Sequence, residues 1–221
     1  MTPEAALCET VVRAARSAQA YPDDAATAPW LVTASVLAAQ QAAAIALRAA
    51  GTAKSRNRMT PEAALCETVV RAARSAQAYP DDAATAPWLV TASVLAAQQA
   101  AAIALRAAGD AIPAQSGATE LLLRAATKDR LPAPFTLPFG AAARQGFDRL
   151  VEARNSFMHP RGLTWFVSQE TLARGLPVVS SVVRHLILTQ PVLADLVAPK
   201  QQIQIEDALQ ELDALAEFLE A

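Results

Sequence analysis

Residues 149–161 read Arg-Leu-Val-Glu-Ala-Arg-Asn-Ser-Phe-Met-His-Pro-Arg, and they predict a helix with a cation set into its apolar face. Large side chains recur here at the i, i+3, i+4, i+7 and i+11 positions that line one side of a helix: Phe147, Leu150, Val151, Arg154 and Met158. Arg154 takes a position where this pattern calls for an aliphatic residue. Because a guanidinium is rarely buried without a partner, the face that carries Arg154 is expected to meet a group that needs a positive charge.

The end of this helix is expected near Met158 or His159, because Pro160 disfavours the α conformation of the residue before it. Residues five apart in an ideal helix point about 140° away from each other. At a frayed end, however, His159 can turn toward the face of Arg154. The partial negative charge of a helix C-terminus also favours cationic side chains there.

The chain as a whole predicts an all-α fold. Hydrophobic residues make up 53% of it and aromatic residues only 5%; alanine accounts for most of the difference, which favours closely packed helices over a sheet. Periodic apolar positions, caps and prolines predict helices near residues 61–79, 87–108, 119–128, 141–158, 177–189 and 204–219. Residues 131–140 and 163–168 are expected to be extended, and residues 191–197 to add a turn or two of helix.

An identical repeat divides the chain. Residues 1–51 recur letter for letter as residues 59–109, separated by a basic spacer at 52–58. Solenoid repeats diverge and cap their ends, and this repeat does neither, so it indicates a recent tandem duplication, engineering or an error of sequence assembly. The expected organisation is a duplicated helical hairpin with its spacer at 1–58, followed by the functional helical domain at 59–221.

The segment from Arg154 to His159 resembles the signature of the HEPN superfamily, in which an Arg is followed after four to six residues by a His. Asn155 matches the family's preference for Asn, Asp or His directly after the Arg. The resemblance covers roughly residues 59–221. It implies a bundle of about five to six helices that forms homodimers, and often metal-independent RNA cleavage with Arg154 and His159 as catalytic residues.

The resemblance also implies roles for neighbouring residues and partners. Asn155 is expected to orient a phosphate or His159, and Arg149 to contact RNA. HEPN toxins paired with small nucleotidyltransferases usually carry a Tyr two residues after the His, where this chain has Arg161. This departure argues against a partner that modifies such a Tyr, and Arg161 is expected to add a phosphate contact. In a toxin or phage-defence role, the protein partner would be an antitoxin or another defence protein.

The charge distribution is compatible with an RNA site, although the net charge is only −2. Residues 128–184 hold eight Lys or Arg and four Asp or Glu, a net charge of +4, whereas residues 185–221 hold one Lys and seven acids. The basic segment is the one that contains Arg154 and His159, as a phosphate site requires. The alternative interpretation is a solvated face that is balanced by an acidic C-terminal helix.

No metal or cofactor is expected, because two histidines and one unique cysteine per repeat are too few for a closed metal site. The start lacks the basic region of a secretory signal, and the uncharged run 83–105 is rich in alanine and contains polar residues, so a cytoplasmic chain with a buried helix is expected. A second functional hypothesis is a catalytically inert helical module for dimerisation, RNA binding or protein binding. In that case Arg154 would bond to carbonyls at the end of its helix, and His159 would cap the helix.

Overall fold

The computed structural model describes residues 59–113, 115–127, 130–131, 135–158, 166–189 and 197–220. These residues contain six α-helices and no strand: α1 Pro61–Ala78, α2 Ala86–Ala107, α3 Ala118–Ala125, α4 Ala141–Met158, α5 Gln169–Val183 and α6 Pro199–Glu220. A short 3-10 turn precedes α2, and a π-helical turn, Arg184–Leu188, extends α5. The prediction of an all-α helical bundle is confirmed.

The first hairpin begins and ends where local sequence signals predict. The Thr60 side chain accepts a hydrogen bond from the backbone N–H of Ala63 at 3.1 Å, and Pro61 occupies the first turn of α1. The Asp82 side chain caps the 3-10 turn by accepting from Ala84 N–H at 2.9 Å. After α2 the chain turns at Gly109, whose φ of +82° favours glycine.

The prediction that the fifth helix begins at Pro177 is wrong, because α5 begins at Gln169 and Pro177 lies inside it. Ser168 accepts a hydrogen bond from Thr171 N–H at 3.1 Å and caps the helix. A proline inside a helix removes one backbone hydrogen bond. Burial of Leu172 and Leu176, both fully inaccessible to solvent, offsets that loss.

The last helix also begins earlier than predicted, at Pro199 instead of Gln204. Gln201 accepts a hydrogen bond from the backbone N–H of Ala198 at 3.3 Å, so a side chain from the first turn satisfies a backbone donor just before the helix. Residues 163–165 and 191–196, where an extended run and a turn of helix are predicted, lie outside the described residues.

The central element is α2, which packs against α1, α3, α4 and α5. Alanines along α2 let the neighbouring helices approach closely, and its larger apolar side chains fill the spaces between them. Fully buried residues of α2 include Leu89, Val90, Val94, Ala96, Ala97, Ala100, Ala101 and Leu105. The prediction that this helix is buried is confirmed.

Two described segments, Ala83–Ala107 and Gln169–Leu188, are long and apolar enough to cross a membrane. In their most apolar windows, 67% and 56% of the residues are buried inside the bundle. Core helices of soluble proteins share this property, so length and composition alone assign neither segment to a membrane.

Deletion of residues 1–58 is expected to leave the helical bundle folded. The buried residues of the described core lie between positions 65 and 216. Every described contact between two helices therefore lies within residues 59–221. Circular dichroism should show a helical spectrum and a cooperative melt for the shortened chain. A shortened chain without helical signal would contradict this prediction.

Candidate functional site

Three of the five predicted site residues lie on the described helix α4: Arg149, Arg154 and Asn155. The described part of this helix runs to Met158, and the predicted effect of Pro160 on its end falls on residues outside the described ranges. His159 and Arg161 lie outside the described residues.

Helix α4 is anchored near its middle and is more open toward its C-terminal end. Phe147 and Leu150 are fully buried, whereas no residue from Val151 to Met158 is fully buried. Arg154 is half-buried, like the neighbouring members of the apolar stripe. The predicted stripe is therefore correct in direction, but Arg154 lies at the rim of the core and not inside it.

The Arg154 guanidinium bonds to the side chain of the next residue. Its Nε and Nη2 atoms donate to Asn155 Oδ1 at 3.2 and 2.7 Å. Among the described residues, the hydrogen-bond partner of Arg154 is this neutral amide. The inert-module hypothesis expected carbonyls at the end of the helix instead. Partial burial lowers the pKa of Arg154 from its ordinary value, because loss of water disfavours the charged form. The guanidinium nevertheless keeps its proton.

The other described arginines of the basic segment, 128–184, all have a carboxylate within ion-pair distance. The pairs are Arg130 with Asp110, Arg144 with Asp148, Arg149 with Glu170, Arg174 with Glu170, and Arg184 with Glu206 and Asp213. The positive charge of these arginines is thus largely compensated, within one helix for Arg144 and Arg174 and between separate elements for the others. Within the described part of the chain, Arg154 is the cation of this segment that lacks a carboxylate partner.

Arg149 does not share a face with Arg154. Residues five apart differ by about 140° around a helix, and Arg149 Nη1 lies 3.3 Å from Glu170 Oε1 on α5. Glu170 also forms an ion pair with Arg174 at 3.2 Å. The predicted RNA contact of Arg149 would therefore require it to leave this carboxylate or to share it.

An aromatic pair that the sequence analysis did not identify borders Arg154. Trp88 of α2 and Phe157 of α4 meet edge to face, with ring centroids 6.2 Å apart. Phe157 follows Arg154 by three residues and so lies on a neighbouring part of the helix surface. We call Trp88, Arg154, Asn155 and Phe157 the motif face.

Helices α2 and α4 run antiparallel beside this face. Gln98 of α2 donates to Ser116 O at 3.3 Å, and nearby Thr119 of α3 donates to Asp148 of α4 at 2.7 Å. The start of α2 thus adjoins the end of α4, and the middle of α2 adjoins its first half.

Trp88 is 43% exposed and Leu95, two turns later on α2, is 40% exposed. This i, i+7 pair of bulky residues on an alanine-rich helix is the sequence signal that would have revealed an apolar surface here.

A groove with a volume of about 570 Å³ lies on another side of α4, between that helix, α5 and the loop before α4. Its walls include Phe139, Pro177 and Val178, and its cations, Arg149 and Arg174, both pair with Glu170. Glu220 adds a further negative charge to the lining. The groove is therefore not arranged to attract an anion.

No cluster of three or more His, Cys, Asp or Glu side chains suited to a metal ion occurs within the described ranges. The chemistry that the described residues offer is a half-buried guanidinium with a neutral amide partner, next to exposed aromatic surface. No protein-family model, curated protein or solved structure significantly matches the chain.

Proposed function

We propose that this chain is a HEPN-type endoribonuclease that cleaves single-stranded RNA without a metal, at a cleft formed by two copies of the chain. The observation that carries the proposal is the charge of Arg154. It is half-buried, its described side-chain partner is the neutral Asn155, and no described carboxylate compensates it. A cation held in this way has capacity for an external anion, and a phosphate matches the fork of its N–H groups.

The reaction follows from the chemistry of RNA. The 2′-oxygen forms a bond to the adjacent phosphorus while the bond from phosphorus to the 5′-oxygen breaks. One imidazole removes the proton of the 2′-hydroxyl, and a second, protonated imidazole donates a proton to the leaving 5′-oxygen. The products carry a 2′,3′-cyclic phosphate and a 5′-hydroxyl. Arg154 stabilises the charge that develops on the phosphorane oxygens.

Two protomers are needed because the motif supplies one imidazole, His159. A two-fold axis beside the motif face would add the partner subunit's His159 and a second Arg154. The exposed side chains of Trp88 and Leu95 offer an apolar contact for such an interface. Two guanidinium groups in one cleft repel each other until an anion binds between them, which favours occupation by RNA.

In this proposal, the chain acts in the cytoplasm as a toxin or a phage-defence effector, and an antitoxin or another defence protein restrains it. Asn155 holds the Arg154 guanidinium in place, through the 2.7 Å contact to Nη2. His159 performs the proton transfers near neutral pH, where an imidazole is effective. Arg161 is a supporting contact to the RNA backbone, and Arg149 becomes one where it leaves or shares its ion pair with Glu170.

A catalytically inert dimerisation module is the alternative, and the exposure of Trp88 and Leu95 favours it. An apolar surface on α2 is sufficient for association without any chemistry at Arg154. In that case Asn155 would simply satisfy the hydrogen bonds of a half-buried guanidinium.

Incubation of the purified full chain with end-labelled single-stranded RNA in excess EDTA tests the proposal. The expected result is cleavage to fragments with 2′,3′-cyclic phosphate and 5′-hydroxyl ends, which resist ligation at the 3′ end until the cyclic phosphate is removed. Cleavage that EDTA stops, or fragments with 5′-phosphate ends, would contradict the proposed mechanism. A chain that dimerises and leaves RNA intact would favour the inert module.

A further inference from the structure

Helices α1 and α2 fill a site that the rest of the bundle provides. α1 packs on α6, and α2 packs on α3, α4 and α5. The apolar side chains that enter this site include Leu65 and Val69 of α1 and Leu89 of α2, all fully buried. Cys66 marks the contact with α6, since its Sγ lies 3.7 Å from Gln204 Oε1.

The chain carries a second segment with the same side chains. Residues 1–51 are identical to residues 59–109, so Leu7, Cys8 and Leu31 correspond to Leu65, Cys66 and Leu89. Any contact that α1 and α2 make with α3–α6 is therefore available to residues 1–51 as well. The site on α3–α6 can hold one hairpin at a time, and the chain supplies two.

We propose that the site on α3–α6 is an exchange site, which residues 1–51 of the same chain occupy in a minor fraction of molecules in place of residues 59–109. Because the two segments have the same sequence, their intrinsic docking contacts are equal. The preference between them is then set by how each segment is connected to α3.

The connections differ in length by a known amount. Eight residues, 110–117, join the second copy to α3, whereas 66 residues, 52–117, would join the first copy. Loop closure becomes less favourable roughly as the three-halves power of loop length. This ratio gives the second copy an advantage of about twentyfold. Asp110, which follows the second copy and pairs with Arg124 of α3 at 2.8 Å, adds to that advantage, since Thr52 follows the first copy. At most about one molecule in twenty is therefore expected to hold residues 1–51 in the site.

Disulfide trapping distinguishes the two occupants in the full chain. Gln204→Cys places a thiol opposite whichever cysteine enters the site, Cys66 or Cys8. The tryptic peptides around Cys8 and Cys66 are identical, so each occupant needs a variant of its own. Gln204→Cys with Cys66→Ala reports residues 1–51, and the matched Gln204→Cys with Cys8→Ala reports residues 59–109. Brief oxidation should give at least about twentyfold more intramolecular crosslink in the second variant.

Charge substitution at one core position shifts the occupancy. Leu89→Asp disables the second copy, and Leu31→Asp applies the same change to the first. In the variant that reports residues 1–51, Leu89→Asp should raise the crosslink between Cys8 and the thiol introduced at position 204 from a minor fraction to most molecules. Leu31→Asp should abolish that crosslink. The chain that carries both substitutions should lose its helical melt, whereas each single variant should keep one.

Three results would overturn the proposal. The first is a Leu89→Asp chain that unfolds as completely as the double variant. The second is absence, in the Leu89→Asp chain, of a crosslink between Cys8 and the introduced thiol. The third is a crosslink that joins two chains, visible at twice the monomer mass on a non-reducing gel, because it would show docking on a second copy.

Discussion

Arg154→Ala is expected to reduce RNA cleavage by a factor of about 100 or more, because it removes a donor that stabilises the charge of the transition state. The same substitution should change the free energy of unfolding by less than about 1 kcal/mol, since it breaks no ion pair with a described carboxylate and leaves the exposed Asn155 amide to water. His159→Ala should abolish cleavage, because no other group of the motif transfers protons near neutral pH. Initial rates on a labelled RNA in EDTA and thermal melts of the same preparations provide both measurements.

Arg174→Ala is the matched control for Arg154→Ala. Arg174 belongs to the same basic segment, but it is exposed and already paired with Glu170 at 3.2 Å. Its loss should leave the cleavage rate within about a factor of two, because an exposed ion pair contributes little. This control separates the effect of one placed guanidinium from a general loss of positive charge.

Parental rates of cleavage in the His159→Ala variant would refute the catalytic assignment. If the parent does not cut RNA and His159→Ala melts well below it, the result supports the inert-module hypothesis, in which His159 caps the helix. Arg154→Lys refines the result, since lysine keeps the charge and loses the planar fork. If the fork matters, Arg154→Lys should recover only part of the rate that Arg154→Ala loses.

Helix boundaries that depend on local signals could be predicted from the sequence. Thr60 and Pro61 begin α1, and the chain turns after α2 at Gly109, as the sequence predicts. The start of α5 could not be predicted in this way, because Pro177 alone suggests a first turn. Burial of apolar residues on both sides of Pro177 decides that helix, and burial depends on the tertiary fold.

The environment of Arg154 was only partly predictable for the same reason. Periodicity correctly placed it on the apolar side of α4, but the degree of burial depends on how far α2 covers that side. Summed charge predicted a basic segment and gave no information on pairing. The ion pair of Arg149 with Glu170 joins residues 21 positions apart, and the contact of Trp88 with Phe157 joins α2 to α4. Such contacts become visible only once the helices are packed.

Close packing between α4 and α5 depends on two glycines, and the remaining prediction concerns them. A Cβ atom added at Gly175 of α5 would lie 2.5 Å from Cδ1 of Leu150, which is a fully buried residue of α4. A Cβ atom at Gly146 of α4 would lie 2.8 Å from the backbone oxygen of Arg174. Both distances are too short for real contacts, so either substitution must push α4 away from α5 or distort Leu150.

Gly175→Ala is therefore expected to lower the free energy of unfolding by about 1–3 kcal/mol, as overpacked cores do. The better helix propensity of alanine, worth about 1 kcal/mol, opposes this loss and is the smaller effect. Chemical denaturation monitored by circular dichroism gives the free energy. Gly140→Ala is the control, because a Cβ atom there meets nothing within 4 Å, and it should be close to neutral.

The double variant Gly175→Ala with Leu150→Ala tests the cause of the loss. Leu150→Ala alone should cost about 2–5 kcal/mol, because it leaves a cavity in the core. If the alanine methyl group at position 175 occupies that space, the double variant should be more stable than the sum of the single losses predicts, by about 1 kcal/mol or more. Additive losses would show that Leu150 is not the obstacle.

Helix α4 also carries Arg154, so a shift of this helix moves the guanidinium. A Gly175→Ala chain that remains folded should therefore cleave RNA more slowly than the Gly140→Ala control.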